Sequence, residues 1–269
     1  MTTATGLSPC CVTGHLHEGT PTGTVEKIAD LDVYVSKPKD GSKAKTILFI
    51  ADIFGWNTPN ARLLADEYAN AGFYVYVPDF FKGDNISHDM LQTIAPREPH
   101  KRSTLQVAAD NASTMATFGP WAVRHREAVV KPLMDEFIKF LRTDPLTGKI
   151  GAVGFCWGGR YALVLAGEGS VDAAVANHPS MASEADFLSI TKPTQINVGT
   201  NDIFLPNETV EQVKAALAEK KSDLPFEINV FQDAVHGFAV RGDISDAKEK
   251  ENKEASANAT LRWFNKYLV

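Results

Sequence analysis

Apolar positions follow two rhythms along this chain. TILFIAD (46–52), FYVYVPD (73–79), KIGAVGF (149–155), DAAVANH (172–178), TQINVGT (194–200) and FEINVFQ (226–232) are short runs rich in β-branched and aromatic residues. Their length and composition predict strands, and the continuous runs at 46–52 and 73–79 predict burial on both faces. DVYVS (32–36) alternates like a half-buried strand. Between these runs the period lengthens to that of a helix. Residues 58–72 read as one, with Thr58 as N-cap, Pro59 in the first turn and Gly72 at the C-terminal cap. Further helices are expected near 104–117 and over 121–142, 157–167 and 207–220. Pro132 should kink or break the second of these. A last helix runs from Ser245 to Leu268, with Leu261, Phe264 and Leu268 on its packing face.

Strand and helix alternate from about residue 46 onward. The expected fold class is therefore α/β, a mostly parallel sheet with helices on both faces, in a single domain over 1–269. Residues 1–30, rich in Thr, Gly and Pro, read as an irregular arm. Residues 80–120 read as an irregular insertion that shapes a pocket.

Composition narrows the function classes. Of 269 residues, 44% are hydrophobic and 22% charged, enough for a sizeable core. The net charge is −6 and no basic stripe follows any candidate helix, which argues against a nucleic-acid partner. No run approaches a membrane span, and the first thirty residues show no secretory pattern. The four N-x-S/T triplets, at Asn85, Asn111, Asn207 and Asn258, then read as chance. Three cysteines, Cys10, Cys11 and Cys156, form no disulfide framework. A cytoplasmic enzyme is the expectation, monomer or homodimer.

The candidate chemistry sits at GFCWGG (154–159), which places Cys156 in a G-x-C-x-G frame between a strand and a helix. The same frame with serine is the nucleophile elbow of α/β-hydrolases. A thiol there also lies at a helix N-terminus, which favours the thiolate. The competing reading is a buried structural cysteine in a Gly-rich turn. Partners fall in the order that fold uses: Asp202 just past the strand at 194–200, and His236 just past the strand at 226–232. Asp202 could instead cap the next helix, and His236 could be an ordinary loop histidine. As a set, the thiol is the nucleophile, His236 its base and Asp202 the group that orients the imidazole. The oxyanion donors would be the N–H groups of Trp157 and Ile53.

GFCWGG, GTNDIFLP and VHGFAVRG, with DIFGWN (52–57) and PDFF (78–81), resemble the dienelactone hydrolase family over roughly 45–269. The resemblance implies an α/β-hydrolase fold, no cofactor and a Cys156–Asp202–His236 triad with Ile53 and Trp157 as oxyanion donors. It also implies a small lactone or ester substrate. The family's bacterial prototype has Glu where this chain has Asp52, and that Glu helps switch the thiol on. It has Ser where this chain has Gly237, and its carboxylate-binding Arg falls at Val240, one step from Arg241. Dienelactone itself is thus left open as the substrate, and Arg241 is either an anion contact or a surface salt bridge.

Other candidates carry two readings each. His178, ending a strand in ANHPS, lines the site or is structural. Trp56, Phe80, Phe81, Phe118 and Trp121 wall a substrate pocket or form core beneath the insertion. Cys10, Cys11, His15 and His17 match no standard zinc spacing, so no metal is expected. The expected activity is hydrolysis through an acyl-cysteine. A thioesterase, acyl transferase or cyclase using the same intermediate is the enzymatic rival. A non-catalytic ligand-binding or redox-sensing protein is the other.

Overall fold

The computed structural model describes residues 17–94, 102–220 and 223–269. Its strands are β1 (Thr24–Ile28), β2 (Leu31–Ser36), β3 (Lys45–Ile50), β4 (Tyr74–Pro78), β5 (Lys149–Phe155), β6 (Ala173–Asn177), β7 (Thr194–Asn201) and β8 (Phe226–Val235). They form one sheet in the order β1-β2-β4-β3-β5-β6-β7-β8. The first three in that order pair antiparallel, and every pairing from β4 to β8 is parallel. Parallel neighbours need crossovers, and helices supply them. These are α1 (Pro59–Asn70), α2 (Leu91–Ile94), α3 (Thr104–Arg124), α4 (Glu127–Thr143), α5 (Trp157–Glu168), α6 (Glu184–Leu188), α7 (Asn207–Lys220), α8 (Phe238–Arg241) and α9 (Ala247–Tyr267). The expected α/β-hydrolase architecture is what the chain adopts.

The strand period of two divides each central strand between two cores. Leu48 and Ile50 of β3, Tyr74 and Tyr76 of β4 and Ile150 of β5 pack with α4, α5 and α7. Ile47 and Phe49, Val75 and Val77, and Val153 and Phe155 face the other way, onto α1, α8 and α9. That double burial explains why these strands read as unbroken apolar runs. Helix α1 starts as its sequence requires: the Thr58 side chain accepts from the Ala61 N–H, with Pro59 in the first turn. Phe264 and Leu268 are buried and Leu261 partly so. No helix among the described residues is long and apolar enough to cross a membrane.

Three expectations need correction. The arm is not irregular throughout 1–30, because β1 lies inside it. It forms a hairpin with β2 through Ala29 and Asp30, both at positive φ. Neither residue is the glycine that usually marks such a turn. β2 is not half-buried: only Asp32 is exposed, since Leu31, Val33 and Val35 pack into one core and Tyr34 into the other. The long helix of the insertion reaches Arg124, so 121–124 belong to α3 rather than to the following helix. The break falls at His125 and Arg126, where Trp121, Arg124 and His125 all bond to Asp84. α4 continues through Pro132, which therefore does not break the helix. Residues 1–16 lie outside the described residues, and so does most of the candidate metal cluster at 10–17.

Candidate active site

β5 ends at Phe155 and α5 begins at Trp157, so Cys156 alone turns the chain. Its backbone sits at φ 55° and ψ −116°, a sparsely populated conformation that surrounding contacts must hold. The turn closes because its flanks lack side chains. A Cβ on Gly154 would lie 1.9 Å from the Gly158 carbonyl oxygen, and one on Gly158 would lie 2.2 Å from that of Ile50.

The neighbouring strand supplies the clamp. The Cys156 N–H is shared between the Asn177 carbonyl oxygen and His178 Nδ1, each at 3.1 Å. The Ser180 N–H donates to the Cys156 carbonyl at 3.1 Å, and the Ser180 hydroxyl lies 3.3 Å from the sulfur. Sequence reasoning passed over Ser180. Its only signal was its place just past a strand adjacent to the elbow strand.

β7 and β8 bring the other two groups. Past a register shift between Gly199 and Asn201, Asn201 stands opposite Val235. The next residue on each strand is Asp202 and His236, so their side chains leave the sheet edge together. His236 Nδ1 lies 3.0 and 3.1 Å from the two Asp202 carboxylate oxygens. One of those oxygens also accepts from the Phe204 N–H, which folds the loop ahead of α7. The half-exposed Phe204 ring packs edge-on to His236 at 4.6 Å.

Burial alone would raise the Cys156 thiol and lower the His236 imidazole, because it penalises both charged forms. Each group overrides that penalty for the other. The facing His236, with a smaller contribution from Arg241, leaves the thiol below its usual range. Cys156 and Asp202 push His236 up to about 9. Each group therefore favours the charged form of the other. His236 Nε2 is buried and makes no aligned hydrogen bond, while Cys156 acts on the imidazole at close range.

The two candidate oxyanion donors come from different loops, Trp157 directly after Cys156 and Ile53 just past β3. The Trp157 N–H opens α5, where no intrahelical acceptor exists. Ile53 follows β3, and its carbonyl accepts from the Ile86 N–H at 2.9 Å, which ties down this loop.

The residues expected near the substrate have the following surroundings. His178 is fully buried, and its Nδ1 is taken by the Cys156 N–H. Burial first, then the His236 and Arg241 charges, hold it well below the ordinary imidazole range. Through Nδ1 it supports the elbow's backbone. Arg241 is not a surface salt bridge: it is buried and donates through Nη1 to Asp52. Asp52 also accepts from the Phe54 N–H at 3.0 Å. Gly237, at φ 92°, makes room for that pair, since a Cβ there would lie 2.4 Å from Arg241 Nη2. Phe81 is core, with its ring 4.7 Å from Trp157 and 5.0 Å from Trp121. Phe80 and Trp121 are buried with it, whereas Trp56 and Phe118 are only partly buried. A cavity of about 220 Å³ lies beside this cluster, between Trp121, Trp157, Tyr161 and Met181.

Comparison with known proteins agrees with this architecture. The family model described as the dienelactone hydrolase family matches residues 31–268. "Hydrolase pyvD" of Aspergillus violaceofuscus is 33% identical over 261 residues, covering 97% of both chains. The "Carboxymethylenebutenolidase homolog" of Mus musculus is 30% identical over 270 residues, covering 98% of this chain and 100% of its own. Among solved structures, dienelactone hydrolase from Anabaena variabilis superposes with a TM-score of 0.59 at 18% identity. That match covers 95% of this chain and 100% of the other, and shows the shared fold. On the extent of the family match and the full-length similarity to its members, this chain belongs to the dienelactone hydrolase family.

Proposed function

We propose that this chain is a cysteine-dependent hydrolase of small lactones or esters, working through an acyl-cysteine. The observation that carries the reading is the facing of the Cys156 sulfur by His236, whose far nitrogen is held 3.0 Å from Asp202. Relatives named as hydrolases and carboxymethylenebutenolidase homologues point to the same bond type.

The Cys156 thiolate attacks the substrate carbonyl carbon. The oxygen gains negative charge and is met by the Trp157 and Ile53 N–H groups. Collapse of the tetrahedral adduct breaks the carbonyl–oxygen single bond, and the His236 imidazolium gives its Nε2 proton to the departing oxygen. Asp202 holds the other proton on Nδ1, so Nε2 is the atom that loses and regains a proton. Neutral His236 then takes a proton from water, whose hydroxide attacks the thioester. The thiolate leaves, and the carboxylic acid product is released. Phe204 and Met181, both exposed apolar residues on the loops that carry Asp202 and Ser180, favour an apolar or aryl substrate. A working free thiol suits a reducing compartment such as the cytoplasm.

The test is a panel of cyclic lactones, enol esters and aryl esters, with intact mass following the protein. The reading expects turnover, an acyl adduct on Cys156 during it, and loss of both in Cys156→Ala. Turnover that survives Cys156→Ala would refute it.

A further inference from the structure

The Cys156 sulfur has a second polar neighbour besides His236. Ser180 Oγ lies 3.3 Å away and is buried. Among the described residues the sulfur is the one hydrogen-bond partner of that hydroxyl. An S–H donating to Oγ would leave the serine proton without an acceptor in a buried site, which is costly. A thiolate accepting from the serine O–H satisfies both groups, and a charged acceptor strengthens the bond. Ser180 is held in place for this: its own N–H donates to the Cys156 carbonyl at 3.1 Å. The hydroxyl is therefore fixed to the nucleophile's backbone and moves with it. The Asp52 carboxylate is engaged by Arg241 and by the Phe54 N–H.

From this geometry we infer that Ser180 is a catalytic hydrogen-bond donor to the Cys156 sulfur, stabilising the thiolate both at rest and as the leaving group when the thioester breaks down. The inference rests on Cys156 being the nucleophile. The serine keeps its proton throughout. When the sulfur attacks carbon, its negative charge passes to the carbonyl oxygen and the O–H···S bond weakens. When water opens the thioester, the electron pair of the carbon–sulfur bond returns to sulfur, and the Ser180 O–H and His236 N–H receive it. Loss of the hydroxyl should thus slow deacylation more than acylation.

The titratable and charged groups around the sulfur are His236 beyond β8 with Asp202 behind it, Arg241 of α8, Asp52 beyond β3 and His178 beyond β6. Ser180→Ala leaves every one of them in place, so a shift in thiol ionisation can be assigned to the hydroxyl. Iodoacetamide alkylation of Cys156 against pH reads that ionisation without turnover. The expected result is a midpoint raised by roughly one unit in Ser180→Ala, with Ser180→Thr returning most of the shift. With an aryl ester that wild type turns over, acyl-Cys156 should accumulate in Ser180→Ala, and kcat should fall more than kcat/KM, by about tenfold. An unchanged alkylation midpoint and an unchanged acyl-enzyme level in a folded Ser180→Ala protein would overturn the inference. Failure of the underlying reading looks different, because Cys156→Ala would then stay active.

Discussion

Arg241 and Asp52 form a buried ion pair beside the Cys156 sulfur, and the two charges act on the thiol in opposite senses: Arg241 favours the thiolate and Asp52 disfavours it. Each half of the pair can be removed alone. Arg241→Met strips the attraction and leaves a buried carboxylate unpaired, so the thiol midpoint should rise. Stability should fall by about 3–5 kcal/mol, the cost of breaking a buried pair from one side. Asp52→Asn keeps the shape, removes the repulsion and should lower the midpoint. Alkylation rate against pH, with urea unfolding of each variant, checks both signs. Midpoints moving in the same direction for the two variants would exclude this arrangement.

Gly237 makes a second prediction about the same pair. Its φ of 92° disfavours any side chain, and a methyl there would meet Arg241 Nη2 at 2.4 Å. Gly237→Ala should therefore cost about 1–3 kcal/mol in stability. It should also push the guanidinium off Asp52, reproducing in weaker form the thiol shift of Arg241→Met. Thermal unfolding together with the alkylation profile measures the two effects. An alanine variant as stable as the parent would mean that the loop after His236 can relax around the methyl.

What the sequence disclosed, and what it hid, divides along physical lines. Strands β3 to β6 were legible because burial on two faces writes itself as apolar runs between helix signals, and β7 and β8 because apolar and polar positions alternate along them. The elbow was legible because Gly154 and Gly158 are demanded by close approaches of 1.9 and 2.2 Å to backbone oxygens. Asp202 and His236 were legible because each stands one residue past a parallel strand. Pairings across the sheet were not. Nothing local marks Arg241 as Asp52's partner, 189 residues away, so its burial could not be foreseen. Ser180 and His178 both follow β6, and only the register of that strand against β5 turns them toward the elbow. The β1–β2 hairpin was hidden by a turn built from Ala29 and Asp30 instead of the usual glycine. The true break between α3 and α4 depends on Asp84, a contact across 40 residues that no helical period reports.

Asp202 is expected to act through the tautomer of His236. With both carboxylate oxygens within 3.1 Å of Nδ1, the proton is kept on that nitrogen. In Asp202→Asn the amide can donate to Nδ1 instead, which moves the proton to Nε2 and removes the base. The expected loss in kcat is on the order of 10²–10⁴-fold, with KM little changed. Steady-state kinetics on an aryl ester decide it. The His236 titration, followed by NMR, should also move down in this variant, since the Asp202 carboxylate helps to raise it.

The pH profile follows from the same pair. The thiol is lowered from an ordinary value of 9.0 because His236 faces it, and His236 is raised to about 9 because Cys156 and Asp202 face it. The reactive form, thiolate with imidazolium, therefore exists above the lowered thiol step and below the raised imidazole step. The two steps belong to the pair rather than to either residue. kcat/KM should hold through neutral pH and fall as pH rises past about 9, when His236 loses the proton it must give to the leaving oxygen. Iodoacetamide inactivation should behave differently on that side, persisting above pH 9 because alkylation needs the thiolate and no proton donor. If kcat/KM instead climbs steadily through pH 9 in parallel with alkylation, the sulfur ionises as an ordinary thiol. The charge pairing between Cys156 and His236 would then be absent from the working enzyme.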